Sequence, residues 1–205
     1  MTATGPESFW EERYAGKPQV WSGRVNRVLA ELFADLPPGR ALDLGCGEGG
    51  DAIWLAEHGW TVTAVDISTT AIERGRRAAT GLADPIDWVV ADLGEWTTNK
   101  RFDLVVSSFL QSPIELPRAS ILRAAAALVA PAGRLLVVAH AAPPPWASQL
   151  HDHHEAFLTP AAQVAELDLD DSWKIEIAEV RSRPATGPDG EAAELEDSVV
   201  LVTRS

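Results

Sequence analysis

The densest chemistry in the chain lies in RALDLGCGEGGDAIWLAEHG, residues 40–59. Its turn reads Gly45-x-Gly47-x-x-Gly50, with Gly49 as a further residue lacking a Cβ, so the main chain can approach a ligand closely. As a bare pattern this is a dinucleotide fingerprint, in which a pyrophosphate rests on the N-terminus of the following helix. Three carboxylates, Asp43, Glu48 and Asp51, crowd the same turn. Glu48 and Asp51 would work against a pyrophosphate, so a cationic ligand without phosphate suits the turn better. Two more acids extend the pattern. Asp66 closes an apolar run, where a carboxylate can accept both hydroxyls of a ribose. Asp92 follows the next run, where it can accept from the amino group of an adenine, and Ile67 and Leu93 are flat apolar neighbours for the ring. S-adenosylmethionine, a nucleoside with a sulfonium and an ammonium group, meets these charge requirements.

Each acid also has a plainer reading. Asp43 is a candidate hydrogen-bonded strand-end acid, Asp66 a helix cap before Ser68-Thr69, and Asp92 a turn residue. Cys46, the sole thiol, fits small-residue packing in the loop better than a nucleophile's role. His140 ends a strand-like run and is the candidate general base, since an unperturbed imidazole titrates near neutral pH. Trp21, Phe109, Gln111 and His151 join it as candidate walls of an acceptor pocket. The cluster His151, His153, His154 and Glu155 reads as solvated loop residues, because closed metal sites need three or four converging ligands. No metal is expected.

The elements that must position these residues alternate. Strands are expected at Ala41–Leu44, Thr61–Asp66, Ile86–Val90, Phe102–Ser107 and Arg134–His140, each a short apolar run suited to a sheet covered on both faces. Helices are expected at Asp51–His58, Thr69–Thr80 and Pro117–Val129, with Gly59 as a left-handed cap to the first. Before them, residues 6–36 read as two helical pieces, in which Phe9, Trp10 and Tyr14 can point one way. Pro37-Pro38-Gly39 ends the second piece. After them come a helix near Pro160–Asp168 and two successive strands, SWKIEIAEVRSR and DSVVLVTRS, an antiparallel pair at the sheet edge. TGPDGEAAELED, residues 186–197, reads as a mobile acidic loop. The expected class is α/β: a Rossmann-like, doubly wound, mostly parallel seven-stranded sheet. One domain spans 1–205, with a helical lid (1–38), a cofactor-binding core (39–140) and a substrate-side loop, helix and closing strands (141–205).

Bulk properties narrow the partners. At 205 residues, 46% hydrophobic and 23% charged, the chain can bury one substantial core. A net charge of -13 argues against a nucleic-acid partner, and the one basic stretch, ERGRR at 73–77, reads as a solvated helix face. One cysteine excludes an internal disulfide and fits a reducing cytoplasm. No signal-like or membrane-spanning run is visible, so a cytoplasmic monomer or homodimer without a membrane partner is expected.

The ordered motifs resemble those of class I S-adenosylmethionine-dependent methyltransferases: LDLGCGEG, VTAVDIS, ADL, FDLVVSSF and LVAPAGRLLVV, over roughly residues 38–140. FWEERYAGKPQVWSGRVNRVL is similar to the start of a small-molecule branch that includes tellurite-resistance and thiopurine methyltransferases. The resemblance implies S-adenosylmethionine as cofactor, held by Asp43, Gly45, Cys46, Gly47, Gly49, Asp51, Asp66, Ile67, Asp92, Leu93 and Ser107. It also implies an N-terminal cover bearing Trp10, Tyr14 and Trp21. The reaction would be direct displacement onto a small-molecule acceptor, with a soft nucleophile slightly ahead of oxygen or nitrogen. Two other readings stay open: an NAD(P)-dependent oxidoreductase, and a binding module without catalysis.

Overall fold

The computed structural model describes residues 5–82, 86–147 and 157–205. Helices α1 (Pro6–Ala15) and α2 (Arg27–Phe33) come first, the second capped by the Asn26 side chain on the Val28 amide. There follow β1 (Arg40–Leu44), α3 (Gly50–Glu57), β2 (Thr61–Asp66), α4 (Thr69–Ala78), β3 (Asp87–Val90) and β4 (Phe102–Ser108). The chain then continues through α5 (Arg118–Ala127), β5 (Val129–His140), α6 (Pro160–Leu167), β6 (Trp173–Thr186) and β7 (Ala192–Arg204). All seven strands form one sheet in the order β3-β2-β1-β4-β5-β7-β6. The first five are parallel, and β7 enters antiparallel between β5 and β6. The order reverses beside β1, the place where open parallel sheets bind ligands at their carboxyl edge.

The core follows from strand alternation. Leu136 and Val138 of β5, with Val199 and Leu201 of β7, face Leu29, Phe33 and Leu55 from α2 and α3. Their neighbours Leu135, Val137, Val200 and Val202 face Leu122, Ala125 and Leu167 from α5 and α6. Both faces are therefore apolar, which is why the central strands read as continuous hydrophobic runs. Among the described residues, no helix is long and apolar enough to cross a membrane.

Two expectations change. A helix to Val129 and a strand from Arg134 are expected, yet α5 stops at Ala127 and β5 begins at Val129, which pairs with Phe102. Pro131-Ala132-Gly133 becomes a bulge inside the strand, with Ala132 at φ 61. Second, the expected acidic loop at 186–197 is mostly β-hairpin, because β6 runs to Thr186 and β7 starts at Ala192. Cross-strand pairing outweighs the weak strand propensity of its acids. Gly59 adopts the expected left-handed conformation, at φ 84, directly after the His58 cap of α3.

The ring of Trp88 on β3 locks two glycines. A Cβ on Gly49 would come within 2.3 Å of that ring, and one on Gly75 of α4 within 2.5 Å. Ala is intrinsically better than Gly in a helix by about 1 kcal/mol. Gly75→Ala is nonetheless expected to destabilise by about 1–3 kcal/mol through overpacking. Urea unfolding reads this, and a Trp88→Leu background should remove most of the loss.

Candidate functional site

The turn after β1 is built on left-handed backbone. Gly45, Gly47 and Gly49 sit at φ 69, 53 and 87. The amides of Gly45 and Cys46 both donate to Val65 O of β2, at 2.9 and 3.0 Å, and the Gly47 amide donates to Asp66 Oδ2 at 2.8 Å. The other Asp66 oxygen accepts from the Ser68 amide at 2.9 Å, just before α4. Asp66 thus ties turn and helix together, the role of a local cap. Each of its oxygens keeps a second lone pair for a hydroxyl donor.

Three carboxylates lie buried under this turn: Asp43, Asp51 and Asp66, at 2%, 8% and 6% exposure. Burial is the first cause pushing all three above the ordinary carboxylate range, and for Asp43 the charges of Asp51 and Asp66 add to it. Burial also pushes the Cys46 thiol well up, which removes it as a thiolate nucleophile. Asp43 Oδ2 is buried without a hydrogen-bond partner, and an unsatisfied acceptor of this kind is costly. S-adenosylmethionine fits these groups: its positive charge relieves the clustered acids, and its hydroxyls and ammonium are donors for Asp66 and Asp43.

The N-terminal segment closes over the turn. Glu48 is not free to receive a ligand: it pairs with Arg74 at 2.9 Å and accepts the amides of Val20 and Trp21 at 3.0 and 2.9 Å. Asp51 accepts the Asn26 amide at 2.6 Å. A Cβ on Gly50 would meet Arg24 O at 2.7 Å, so main chain seals the N-terminus of α3 where a pyrophosphate would rest. The expectation that ERGRR is a solvated face is therefore corrected at Arg74, whose guanidinium also donates to the carbonyls of Tyr14 and Lys17. Glu11 of α1 accepts from the Ser68 and Thr70 side chains, and these bonds hold its carboxyl below the usual range. Neither Glu11 nor Arg74 stood out in the sequence, because their partners lie far along the chain and no local spacing marks them.

Of the three aromatics expected to cover the loop, Tyr14 is buried at 3% exposure, whereas Trp21 is 47% exposed. The Trp21 indole donates to the Tyr14 hydroxyl at 2.9 Å, and a Cβ on Gly47 would come within 2.9 Å of that oxygen. Trp10 lies one turn before Tyr14, their ring centroids 6.3 Å apart. Ile67 and Leu93 are half-buried, and Asp92 is exposed with Oδ1 accepting the Gly94 amide at 2.8 Å, an Asx turn. Ser107 is buried with its hydroxyl unpartnered. At the carboxyl end of β5, Phe109 stacks on His140 at 4.4 Å, and Gln111 Oε1 accepts the His140 amide at 2.8 Å. His151, with His153, His154 and Glu155, lies outside the described residues.

Raised carboxyl pKa values have a sign for stability. The folded protein retains protons that the unfolded chain has released above pH about 4, so stability falls as pH rises through that window. Asp43→Asn is expected to stabilise the ligand-free protein by on the order of 1 kcal/mol at pH 7.5, and by less at pH 5. Glu11 acts in the opposite direction, so the readout is the variant-minus-wild-type difference in urea unfolding at the two pH values.

Residues 41–133 match the family described as methyltransferase domain. A probable thiol methyltransferase from Arabidopsis thaliana is 34% identical over 101 residues, 47% of this chain and 45% of that protein. The 2-heptyl-1-hydroxyquinolin-4(1H)-one methyltransferase of Mycobacteroides abscessus is 38% identical over 124 residues, 56% and 54% of the two chains. The chain thus spans about half the length of these curated relatives. The structure of TehB from Haemophilus influenzae superposes with a TM-score of 0.70 at 17% identity, covering 95% of this chain and 67% of that one. Residues 41–133 thus match the methyltransferase-domain family, and the chain shares the fold of TehB.

Proposed function

We propose that the chain transfers a methyl group from S-adenosylmethionine to a small-molecule acceptor by direct displacement. The observation that carries this reading is the turn itself: buried acids with an unsatisfied Asp43 oxygen beneath it, and main chain sealing the α3 N-terminus against a pyrophosphate. Asp43 and Asp66 would hold the cofactor, with Tyr14 and Trp21 over it from the N-terminal segment. Bound there, the cofactor supplies an electrophilic methyl group on a sulfonium whose leaving group is a neutral thioether. The protein's task is then chiefly to hold an acceptor in line, which can supply much of the acceleration.

The acceptor would meet the apolar ring of Phe109, with Gln111 and His140 as the polar groups beside it, a mixture common in small-molecule pockets. Overall acidity disfavours a polyanion during approach. The thiol and hydroxyquinolone methyltransferases among the relatives support a small acceptor carrying sulfur or oxygen. The single-domain organisation, with residues 1–38 as a cover, belongs to the same proposal, as does a cytoplasmic monomer or homodimer acting without nucleic acid.

Calorimetry should show binding of S-adenosylmethionine and its demethylated product but not NADH; NADH binding alone would return the oxidoreductase reading. Asp66→Ala should weaken cofactor binding by roughly 1.5–3 kcal/mol, and an unchanged Kd would remove the ribose role. Arg74→Ala releases Glu48 and two carbonyls of the N-terminal segment together. About tenfold weaker cofactor binding, with faster amide exchange over residues 14–21, is the expected result, and unchanged values would show that this segment is no cover.

A further inference from the structure

The carboxyl edge of β5 carries a second polar assembly, some way along the sheet from the glycine turn. The antiparallel register sets His140 opposite Asp197 of β7 and Arg181 of β6 opposite Asp197. Arg183, two residues on, shares the face of Arg181 because side chains alternate along a strand. His140 Nδ1 lies 3.3 Å from Asp197 Oδ1, and Arg183 Nε donates to Asp197 Oδ2 at 2.5 Å. Asp197 is 3% exposed. The imidazole is fixed from three directions: the Asp197 carboxylate at Nδ1, the Phe109 ring on its face, and Gln111 on its backbone amide. The Arg183 guanidinium lies 5.5 Å from the centre of the same Phe109 ring. Phe109 sits at φ 57, a left-handed conformation that persists in a bulky residue only when its surroundings over-determine it. Among the described residues, Nε2 of His140 has no hydrogen-bond partner, and the side chain is 35% exposed.

We propose that Asp197 is the positioning residue of a His140 base, and that the acceptor reacts through a hydroxyl whose proton passes to Nε2. This rests on the methyl-transfer reading above. A carboxylate facing Nδ1 fixes the proton there, so the lone pair of neutral His140 stands on Nε2. Arg183 supplies the countercharge that a buried carboxylate needs. A thiol, with an ordinary pKa near 8.5, forms its own nucleophile at little cost, whereas a phenolic hydroxyl near 10 gains from a fixed base during attack. In the step, the acceptor O–H bond breaks with its proton going to Nε2. The oxygen pair forms the new O–C bond, and the C–S bond breaks with its electrons on sulfur. The products are a methyl ether, a neutral thioether and an imidazolium, which returns its proton to solvent. The positive charge moves from sulfonium to imidazolium, so charge is conserved.

Long-range 1H–15N NMR on the full chain reads the tautomer, with the His140 signals assigned by their loss in His140→Gln. The Nδ1–H tautomer is expected in the wild type, and an Nε2–H tautomer would overturn the positioning role. Kinetics use a matched phenol and thiophenol pair. Asp197→Asn should lower kcat on the phenol about 10²-fold with KM nearly constant, and lower kcat on the thiophenol less than about 10-fold. Equal losses on both acceptors would overturn the hydroxyl assignment. If Asp197→Asn does not fold, His140→Gln, at a partly exposed position, makes the same comparison. Absence of turnover with every acceptor, while the Nδ1–H tautomer is present, would overturn methyl transfer itself and leave the positioning geometry standing.

Discussion

The cost of burying Asp43, Asp51 and Asp66 beneath one left-handed turn governs the architecture around it. The three lie where β1, α3 and β2 meet, and water cannot screen their mutual repulsion. Backbone amides from Gly47, Ser68 and Asn26 compensate part of that cost. Those three donors belong to the glycine turn, the start of α4 and the N-terminal segment. The acids therefore organise three separate parts of the chain while leaving one oxygen of Asp43 unsatisfied.

The same economy explains the N-terminal segment. Residues 5–26 bury little of their own surface apart from Tyr14, so packing alone gives this stretch little reason to stay. Charged and polar links hold it: Glu11 on the α4 N-terminus, Arg74 on two of its carbonyls, and Glu48 on two of its amides. Donors of this kind to a carboxylate are stronger than neutral hydrogen bonds. They also open without exposing much apolar surface.

The antiparallel entry of β7 between β5 and β6 brings Asp197 directly opposite His140, and Arg183 of β6 bonds Asp197 on the same face. Asp43 and Asp66 on β1 and β2, and His140 and Asp197 on β5 and β7, thus stand on different pairs of strands, so each can be altered with limited effect on the other.

Periodicity and turn chemistry made the α/β class, the five parallel strands, the closing antiparallel pair and the glycine turn legible in the sequence. Those features depend on near neighbours: apolar runs for strands buried on both faces, glycines where φ must be positive. The acids at 43, 51 and 66 were legible as a group because each ends or follows such a run. The roles of individual side chains were another matter. Glu48 appeared to face a ligand and is locked to Arg74; ERGRR appeared solvated and contains a central tie; the acidic stretch before Asp197 appeared mobile and is a strand. For Glu48 and Arg74 the deciding partners lie tens of residues away, 26 for Glu48–Arg74 and 60 for Arg74–Tyr14, whereas the acidic stretch is ordered by its hairpin partner β6. The sequence alone determined the central strands and helices and the glycine turn after β1. Only the tertiary structure decided which charges remain free, because a hydrogen bond depends on distance in space and a one-dimensional pattern does not record it.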